Sequence, residues 1–559
     1  MSFFARFRRL PAPDAPASRG RRIAARITTV LASLFVLFVL IAPYDLERFT
    51  PKEFLRIPVE ALFGLVLVLV LPPRPRRIAA LVGGIALGVL TVLKIMDAGF
   101  DAVLYRPFDL VLDWPLFGPA IDYVDVTIGR WAAIGAVALA VVLALGVLVV
   151  TTLSVMRLTR TVERRRPMAT RALVVLAVAW ITLAVPGMPI ASNSAAAFAY
   201  DHAVAVQAGL RDHEAFQAET AIDAFRDTAG PELLTALRGK DVIFTFVESY
   251  GRDAVEDPEL APQVTAALAE GSEKLRAAGY ASRSGFLSSP TAGGGSWMAQ
   301  ATLLSGVWID NQQRYRNLVT SDRLTLGDAF QKADWRTVGV MPGITQAWPE
   351  GEFFGYDQIY KATDLGYQGP RFGYATMPDQ YTMSAFQRDE RAKTDRKPIM
   401  AAIPLLSSHA PWSAIPDQVD WDSVGDGSIY RSMDASNDKP ESIFGRDPVQ
   451  VRADYRKSVV YSVRNLVSYV EKYGDDNLVV VFLGDHQPAQ LVTGEGASRD
   501  VPISIVARDP AVMERVSSWG WNDGIKPGSE APVWKMSEFR DKFLTAFGSQ
   551  PPKSTHPAG

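Results

Sequence analysis

Two continuously apolar stretches decide the fold: DVIFTFVE at 241–248 and NLVVVFLGDH at 477–486. A strand buried on both faces of a parallel sheet has such an unbroken apolar sequence, because neither of its faces meets water. The first stretch ends in Glu248 and the second in Asp485 and His486. The sequence therefore predicts two central strands that carry ionisable side chains at their carboxyl ends.

Shorter β-rich runs alternate with helical patterns around these two stretches. Further strands are predicted at 337–341, 399–405 and 503–509, and helices near 262–278, 296–306 and 451–472. Strands that alternate with helices indicate an α/β sandwich with a mainly parallel central sheet.

The N-terminal third of the chain contains separate apolar runs, at roughly 26–43, 55–72, 78–95, 131–153 and 172–190. Each run is close to the ~20 residues that cross a ~30 Å hydrocarbon core. The first run is too long for a signal peptide and has no small-residue cleavage site before Pro43. We therefore expect five transmembrane helices.

Two charged residues fall inside or at the end of these runs. Lys94 stands at the end of the third run, where we expect its side chain to snorkel to the surface. Glu60 lies within the second run and is a candidate for lining a groove that admits a lipid headgroup.

Arginine clusters predict the orientation in the membrane. They lie in the N-terminal segment, between the second and third runs at 74–77, and between the last two runs at 157–166. The intervening loops, 44–54 and 96–130, are acidic or balanced. The positive-inside rule places the arginine-rich segments in the cytoplasm, so five spans end outside and everything after about Ser192 is extracytoplasmic.

The predicted organisation has four parts. A cytoplasmic tail and the five-helix membrane domain occupy 1–191, and a helical connector occupies 192–239. The catalytic domain follows at 240–547 and a flexible tail at 548–559. The net charge of -2 gives no general basic signal for nucleic acid. The absence of cysteine excludes disulfides, thiolate metal sites and a cysteine nucleophile.

A metal site is predicted at the carboxyl edge of the sheet, where ligand sites of α/β proteins lie. Glu248, Asp485 and His486 offer two carboxylates and an imidazole, which suit Mn²⁺, Zn²⁺ or, less well, Mg²⁺.

A glycine-rich segment, SSPTAGGGSWMAQATLLSG, supplies the candidate nucleophile. Gly293–Gly295 allow a close approach of the backbone to a ligand, and Ser296 begins a predicted helix whose free N–H groups favour a phosphate. A hydroxyl bound to a metal is an activated nucleophile. The spacing is equally compatible with a simple capping role for Ser296, and Ser289 and Thr291 are competing hydroxyls.

Over nearly its full length the chain resembles the alkaline phosphatase/sulfatase superfamily, in the branch of the lipoteichoic acid synthases and phosphoglycerol transferases. The resemblance implies one metal, most often Mn²⁺, held by Glu248, Ser296, Asp485 and His486, with Ser296 as the catalytic nucleophile. It also implies that His409, in SSHAPW, binds the substrate and serves as a general acid or an oxygen clamp.

Further substrate contacts are implied for Trp348, in QAWPEGEFFGYDQIY, and for Gly294 and Gly295. The chain departs from the family pattern in two places. It has Ser296 where lipoteichoic acid synthases usually have threonine, and Glu350 where the family has an arginine two residues after the tryptophan. The second change replaces a guanidinium that would clamp an anion with a carboxylate.

The implied activity moves a phosphoglycerol-type headgroup from a phospholipid donor to an extracytoplasmic glycan or glycolipid acceptor through a phospho-Ser intermediate. One alternative is a sulfatase-like phosphodiesterase or sulfuric ester hydrolase that uses water, although Ser296 lacks a C/S-x-P-x-R context. Others are a phosphoethanolamine transferase, which usually carries disulfides, and a non-catalytic scaffold. The Arg- and Ala-rich composition favours the inner membrane and periplasm of a Gram-negative bacterium.

Overall fold

The computed structural model describes residues 19–43, 54, 56–104, 106–184, 191–192, 194–412, 415–433 and 446–549. The chain divides into two compact units, Met1–Ala98 with Val137–Val204, and Gly99–Ala136 with Ala205–Gly559. The segment predicted as an outer loop between the third and fourth apolar runs is therefore grouped with the C-terminal part of the chain.

The apolar runs form long helices. Along the N-terminal part of the chain the helices are α1 (Arg19–Ile41), α2 (Val59–Val70), α3 (Pro73–Leu104), α4 (Phe117–Thr127), α5 (Arg130–Arg164), α6 (Arg166–Ala184) and α7 (Ser194–Ala221). Among the described residues, α1, α3, α5 and α6 are long and apolar enough to cross a membrane. The second run forms α2, which has 12 residues and a length of about 18 Å. The count of five spans is therefore not confirmed.

Helices α3 and α5 approach closely in the first unit. A Cβ atom at Gly84 would lie 2.8 Å from the Thr152 Cα, and one at Gly88 would lie 3.0 Å from a methyl group of Leu148. Small residues four apart allow helix backbones to pack tightly in a membrane.

The two charged residues of the apolar runs are bound within this unit. Lys94 is buried and donates to the carbonyls of Val39 (3.1 Å) and Ala42 (2.8 Å), where α1 ends, so the prediction that it snorkels is wrong. Carbonyls in the last turn of a helix lack intrahelical partners, which explains this capping contact. Glu60 accepts from the N–H of Ala196 (2.8 Å) in the first turn of α7. Its role toward a headgroup stays a prediction.

Among the described residues, a mixed sheet of nine strands organises the second unit, in the order β10-β4-β9-β8-β3-β7-β5-β6, with β11 beside β4. Two short strands of the first unit, β1 (Ile57–Pro58) and β2 (Ala191–Ser192), pair separately. The strands of the large sheet are β3 (Asp241–Val247), β4 (Ala281–Ser288), β5 (Arg336–Met341), β6 (Gln358–Lys361), β7 (Ile399–Leu405), β8 (Leu478–Gly484), β9 (Asp500–Ala507), β10 (Asn522–Asp523) and β11 (Val533–Lys535). The run from β8 to β6 is parallel as predicted, whereas β9 is antiparallel to both β8 and β4.

Helices cover both faces of this sheet and form two hydrophobic cores. They are α8 (Asp253–Glu256), α9 (Ala261–Ala277), α10 (Ser296–Ser305), α11 (Gln312–Leu318), α12 (Leu326–Lys332), α13 (Asp379–Phe386), α14 (Pro448–Tyr473), α15 (Gln490–Thr493), α16 (Pro510–Arg515) and α17 (Phe539–Phe547). Within β3, Val242, Phe244 and Phe246 belong to one core, and Ile243 and Val247 belong to the other. Burial on both faces explains the unbroken apolar sequence of this strand.

Candidate active site

The parallel register brings three polar segments to one edge of the sheet. Val247, the last residue of β3, pairs with Gly484 of β8 on one side and with Leu405 of β7 on the other. Glu248 and Asp485 follow these strand ends directly, and His409 follows β7 four residues later. These three residues are distant in the sequence but lie next to one another at the carboxyl edge of the sheet.

Ser296 closes this group as the first residue of α10. Its Oγ lies 2.9 Å from the Glu248 Oε2 and 3.2 Å from the His486 Nε2. The same Nε2 is 3.2 Å from the Glu248 Oε1. One ligand atom each of Glu248, Asp485 and His486 lies within 4.8 Å of the others. The four predicted ligand residues are thus brought together.

Hydrogen bonds hold Asp485 and His486 so that one atom of each side chain can bind a metal. The Asp485 Oδ1 accepts from the backbone N–H groups of Ser249 (2.8 Å) and His486 (2.7 Å), whereas no hydrogen-bond donor in the described part of the chain reaches its buried Oδ2. The His486 Nδ1 lies 2.8 Å from the carbonyl oxygen of Gln487, which can only accept, so Nδ1 carries a hydrogen and Nε2 is the atom that can bind a metal once its own proton is lost.

The oxygen and nitrogen atoms of this cluster are suitable ligands for one divalent cation. Burial of a carboxylate oxygen without a hydrogen-bond donor costs free energy of folding unless the oxygen binds a cation or a proton. A carbonyl that holds the second ring nitrogen is the usual support for a metal-binding histidine. Two carboxylates, an imidazole and the Ser296 hydroxyl suit Mn²⁺ or Zn²⁺.

Mutual electrostatics govern the protonation of the cluster. Burial and the neighbouring charge of Glu248 raise the pKa of Asp485. Burial would also raise the pKa of Glu248, but His409 and His486 hold it well below its usual range. Although burial opposes it, Asp485 and Glu248 raise the pKa of His486 to about 9. Without a cation the cluster therefore retains protons that a metal must displace.

We expect the affinity for Mn²⁺ to rise with pH between about 6 and 8, roughly tenfold per unit for each proton displaced. The sign follows from the raised pKa of His486 and of Asp485, because both groups still bind protons in this range. Calorimetric titration of the full-length protein in buffers of different ionisation enthalpy measures both the affinity and the protons released. An affinity that is independent of pH would contradict this electrostatic picture.

The glycine-rich segment lies against the predicted outer loop, here the residues 99–136. Gly293 has φ +71°, and a Cβ atom there would lie 1.5 Å from the carbonyl oxygen of Val103. Within the loop, Arg106 forms a bidentate ion pair with the fully buried Asp113. This loop was not predicted as part of the site, because nothing in its local sequence pattern indicates that it approaches the glycines.

Gly293→Ala is expected to lower the stability by about 1–3 kcal/mol and to reduce turnover, because the new methyl group meets both an unfavourable φ and the Val103 carbonyl. Gly496→Ala is the matched control: Gly496 has φ +74°, but no heavy atom lies within 4 Å of its Cβ position. Thermal unfolding and turnover of both variants separate the clash from the backbone strain. Equal losses in the two variants would show that the outer loop does not press on Gly293.

The remaining predicted residues differ in their placement. His409 is close enough to Glu248 to lower its pKa, and its ring stacks on Tyr374 with centroids 3.9 Å apart. Trp348 instead stacks on Phe354 at 5.8 Å, and no ring contact between it and the metal-ligand cluster is found among the described residues. Its headgroup role therefore stays a prediction. Tyr374 was missed because no motif marks it.

Gly294 and Gly295 differ in backbone conformation and in the space available for a Cβ atom. Gly295 has φ +82° and precedes α10 directly, and a Cβ atom there would lie 2.7 Å from the Met298 methyl carbon. Gly294 is less confined, with only a methyl carbon of Leu104 at 3.7 Å from its Cβ position. The structure explains a glycine at 295 by local geometry, and substrate contacts of both residues stay predictions.

No family model matches the chain, and no characterised protein is similar enough in sequence to count as a relative. Among the solved structures that match is the lipoteichoic acid synthase LtaP from Listeria monocytogenes, with 16% identity over 56% of this chain and 73% of that chain and a TM-score of 0.38.

Two other matches are the Streptococcus pyogenes phosphoglycerol transferase GacH in complex with sn-glycerol-1-phosphate and the C-terminal periplasmic domain of EcEptC from Escherichia coli in complex with Zn. The first has 12% identity over 62% of this chain and 88% of that chain, with a TM-score of 0.37. The second has 13% identity over 56% and 83%, with a TM-score of 0.38. Likenesses at this level assign no activity to this chain.

Proposed function

We propose that this chain is a membrane-anchored, metal-dependent phosphotransferase of the lipoteichoic acid synthase and phosphoglycerol transferase type. It would move a phosphoglycerol-type headgroup from a phospholipid to an extracytoplasmic glycan or glycolipid. The observation that supports it most is the Ser296 hydroxyl at 2.9 Å from Glu248 and 3.2 Å from His486, beside the unpartnered Asp485 Oδ2.

Glu248, Asp485 and His486 would hold the cation together with the Ser296 hydroxyl. When bound, a divalent cation neutralises charge on the phosphoryl oxygens and favours the deprotonated form of a hydroxyl. Ser296 stands at the N-terminus of α10, where free backbone N–H groups and the helix dipole stabilise an anion. A phosphate diester is a suitable substrate for this arrangement, because the cation and the N-terminus of α10 would stabilise its negative charge beside the Ser296 oxygen.

The proposed first step joins the Ser296 Oγ to phosphorus and breaks the bond between phosphorus and the diacylglycerol oxygen. The Ser296 proton passes to Glu248, which accepts the hydrogen bond of this hydroxyl. The released diacylglycerol oxygen gains a proton, for which Nε2 of a protonated His409 is the candidate donor. In the second step an acceptor hydroxyl attacks the same phosphorus, passes its proton to His409 and releases Ser296, whose oxygen regains a proton from Glu248. Water as the acceptor would give hydrolysis instead.

The arginine clusters support an extracytoplasmic location of this site. Positive segments stay on the cytoplasmic side, so the arginines at 74–77 favour a membrane crossing between α1 and α3. We propose that α2 and its flanking apolar residues make that crossing, which completes five spans. The catalytic unit would then face the periplasm of a Gram-negative bacterium.

The test is reconstitution of the full-length protein with Mn²⁺ in vesicles of phosphatidylglycerol that carry labelled headgroups. We expect diacylglycerol release and, when a glycan is supplied, transfer of labelled phosphoglycerol to it. Release of free glycerol phosphate alone would favour the hydrolase. Turnover of phosphatidylethanolamine but not phosphatidylglycerol would favour a phosphoethanolamine transferase, and the absence of both would contradict the proposal.

A further inference from the structure

A tight turn between β6 and α13 presents Tyr374. The N–H of Phe372 donates to the carbonyl of Ala375 (3.3 Å), and these two residues form an isolated antiparallel bridge. Gly373 between them has φ +61°, which a glycine adopts without strain. Phe372 and Ala375 are buried, and Phe372 packs edge-on against Tyr430. The turn is therefore anchored in the core, with Tyr374 at its tip.

The Tyr374 ring lies flat on the imidazole of His409. Their centroids are 3.9 Å apart and their planes differ by 16°. The two rings come from segments that follow different strands, β6 and β7, so the stack is a product of the tertiary structure. Tyr374 is half-buried, so part of its side chain remains accessible to solvent.

The backbone of His409 is fixed independently of this stack. Its N–H donates to the Leu406 carbonyl (3.0 Å), and the neighbouring Ser408 hydroxyl donates to the carbonyl of Glu248 (2.6 Å). The His409 Nδ1 faces the Ala410 carbonyl, so Nδ1 carries a hydrogen and Nε2 is the ring atom that is available to the substrate. Ala410 thus restrains one edge of the ring, and Tyr374 covers one face.

We propose that Tyr374 is a positioning residue that holds the His409 imidazole in place for the transfer reaction at Ser296, through its ring and not through its hydroxyl. This inference rests on the proposed function and adds a residue to it. A rigid aromatic face fixes the plane of a neighbouring ring at little entropic cost. Because small displacements of a reacting group cost large factors in rate, loss of this face should weaken the contribution of His409.

A double-mutant cycle tests the proposal, with the full-length protein, Mn²⁺ and mixed micelles that contain phosphatidylglycerol with a fluorescent acyl chain. We expect Tyr374→Phe to keep at least about half of kcat/KM, and Tyr374→Ala to lose roughly tenfold to a hundredfold. In the His409→Ala background, Tyr374→Ala should cause no further loss. Additive losses, or a Tyr374→Phe variant as impaired as Tyr374→Ala, would overturn the proposal.

Two further measurements exclude a general structural effect. Tyr473→Ala is the matched control, because Tyr473 is also half-buried and packs edge-on against Trp421, but ends α14 at the opposite edge of the sheet. It should keep the wild-type kcat/KM. The affinity of Tyr374→Ala for Mn²⁺, measured by calorimetry, should equal that of the wild type, and a lower affinity would overturn the positioning role. Turnover that persists in Ser296→Ala would instead contradict the proposed function.

Discussion

Replacing Ser296 with alanine is expected to reduce diacylglycerol release by about a thousandfold or more, because the variant lacks the oxygen that would form the bond to phosphorus. The hydroxyl lies 2.9 Å from Glu248 and 3.2 Å from His486. Binding of Mn²⁺ should persist with lower affinity, since Glu248, Asp485 and His486 remain. Assays with labelled phosphatidylglycerol and calorimetry with Mn²⁺ measure the two effects separately.

The competing hydroxyl of the glycine-rich segment provides the control for this variant. Thr291 Oγ1 is buried and has no hydrogen-bond partner among the residues that the structure describes. Thr291→Val preserves the shape of the side chain and removes only that hydroxyl, so we expect turnover within about threefold of the wild type. Loss of turnover in Thr291→Val together with retention in Ser296→Ala would reverse the assignment of the nucleophile.

Asp485→Asn is expected to weaken Mn²⁺ binding by about a hundredfold or more and to abolish turnover. The variant keeps an oxygen for the N–H groups of Ser249 and His486, but it replaces the unpartnered carboxylate oxygen with a neutral amide. Because Glu248 and burial raise the pKa of Asp485, a charge at this position is unfavourable without metal. The metal-free variant should therefore unfold at the same temperature as the wild type at pH 8, or higher.

Asp379→Asn is the control for Asp485→Asn, because it should lower stability and leave Mn²⁺ binding almost unchanged. Asp379 is also fully buried, but both of its carboxylate oxygens accept hydrogen bonds, from the N–H of Ser407 (2.9 Å) and from the hydroxyl of Ser462 (2.5 Å). We expect this variant to unfold at a lower temperature and to keep its Mn²⁺ affinity within about twofold. If Asp485→Asn lost stability and kept Mn²⁺ affinity, Asp485 would be a structural residue like Asp379.

The central strands and their terminal residues could be predicted because burial on both faces leaves a direct mark on sequence. β3, β7 and β8 lie within the predicted runs, and Glu248, Asp485 and His486 follow the ends of β3 and β8. By contrast, β4 has the sequence ASRSGFLS, with polar residues and a glycine, and it was not predicted. Its position is set by pairing with β9, which is a property of the tertiary structure.

The parts of the site that sequence reasoning missed come from distant segments. Tyr374 meets His409 only because two loops at the edge of the sheet converge, and Val103 meets Gly293 only because the outer loop folds onto the glycine-rich segment. Neither contact has a periodicity or a motif. The short length of α2 was missed for a different reason. The apolar run extends beyond both ends of the helix, so hydropathy alone predicts a segment long enough to span the membrane.

The most direct test of the account is a search for the covalent intermediate. Full-length protein with Mn²⁺ is mixed with phosphatidylglycerol, quenched in acid within the first turnover and digested with trypsin, and the fragment 284–314 is analysed by mass spectrometry. We predict that this fragment gains the mass of one phosphoglycerol group, located on Ser296 and absent from Ser296→Ala. Diacylglycerol that accumulates without any adduct, or an adduct on Ser289 or Thr291, would contradict Ser296 as the nucleophile.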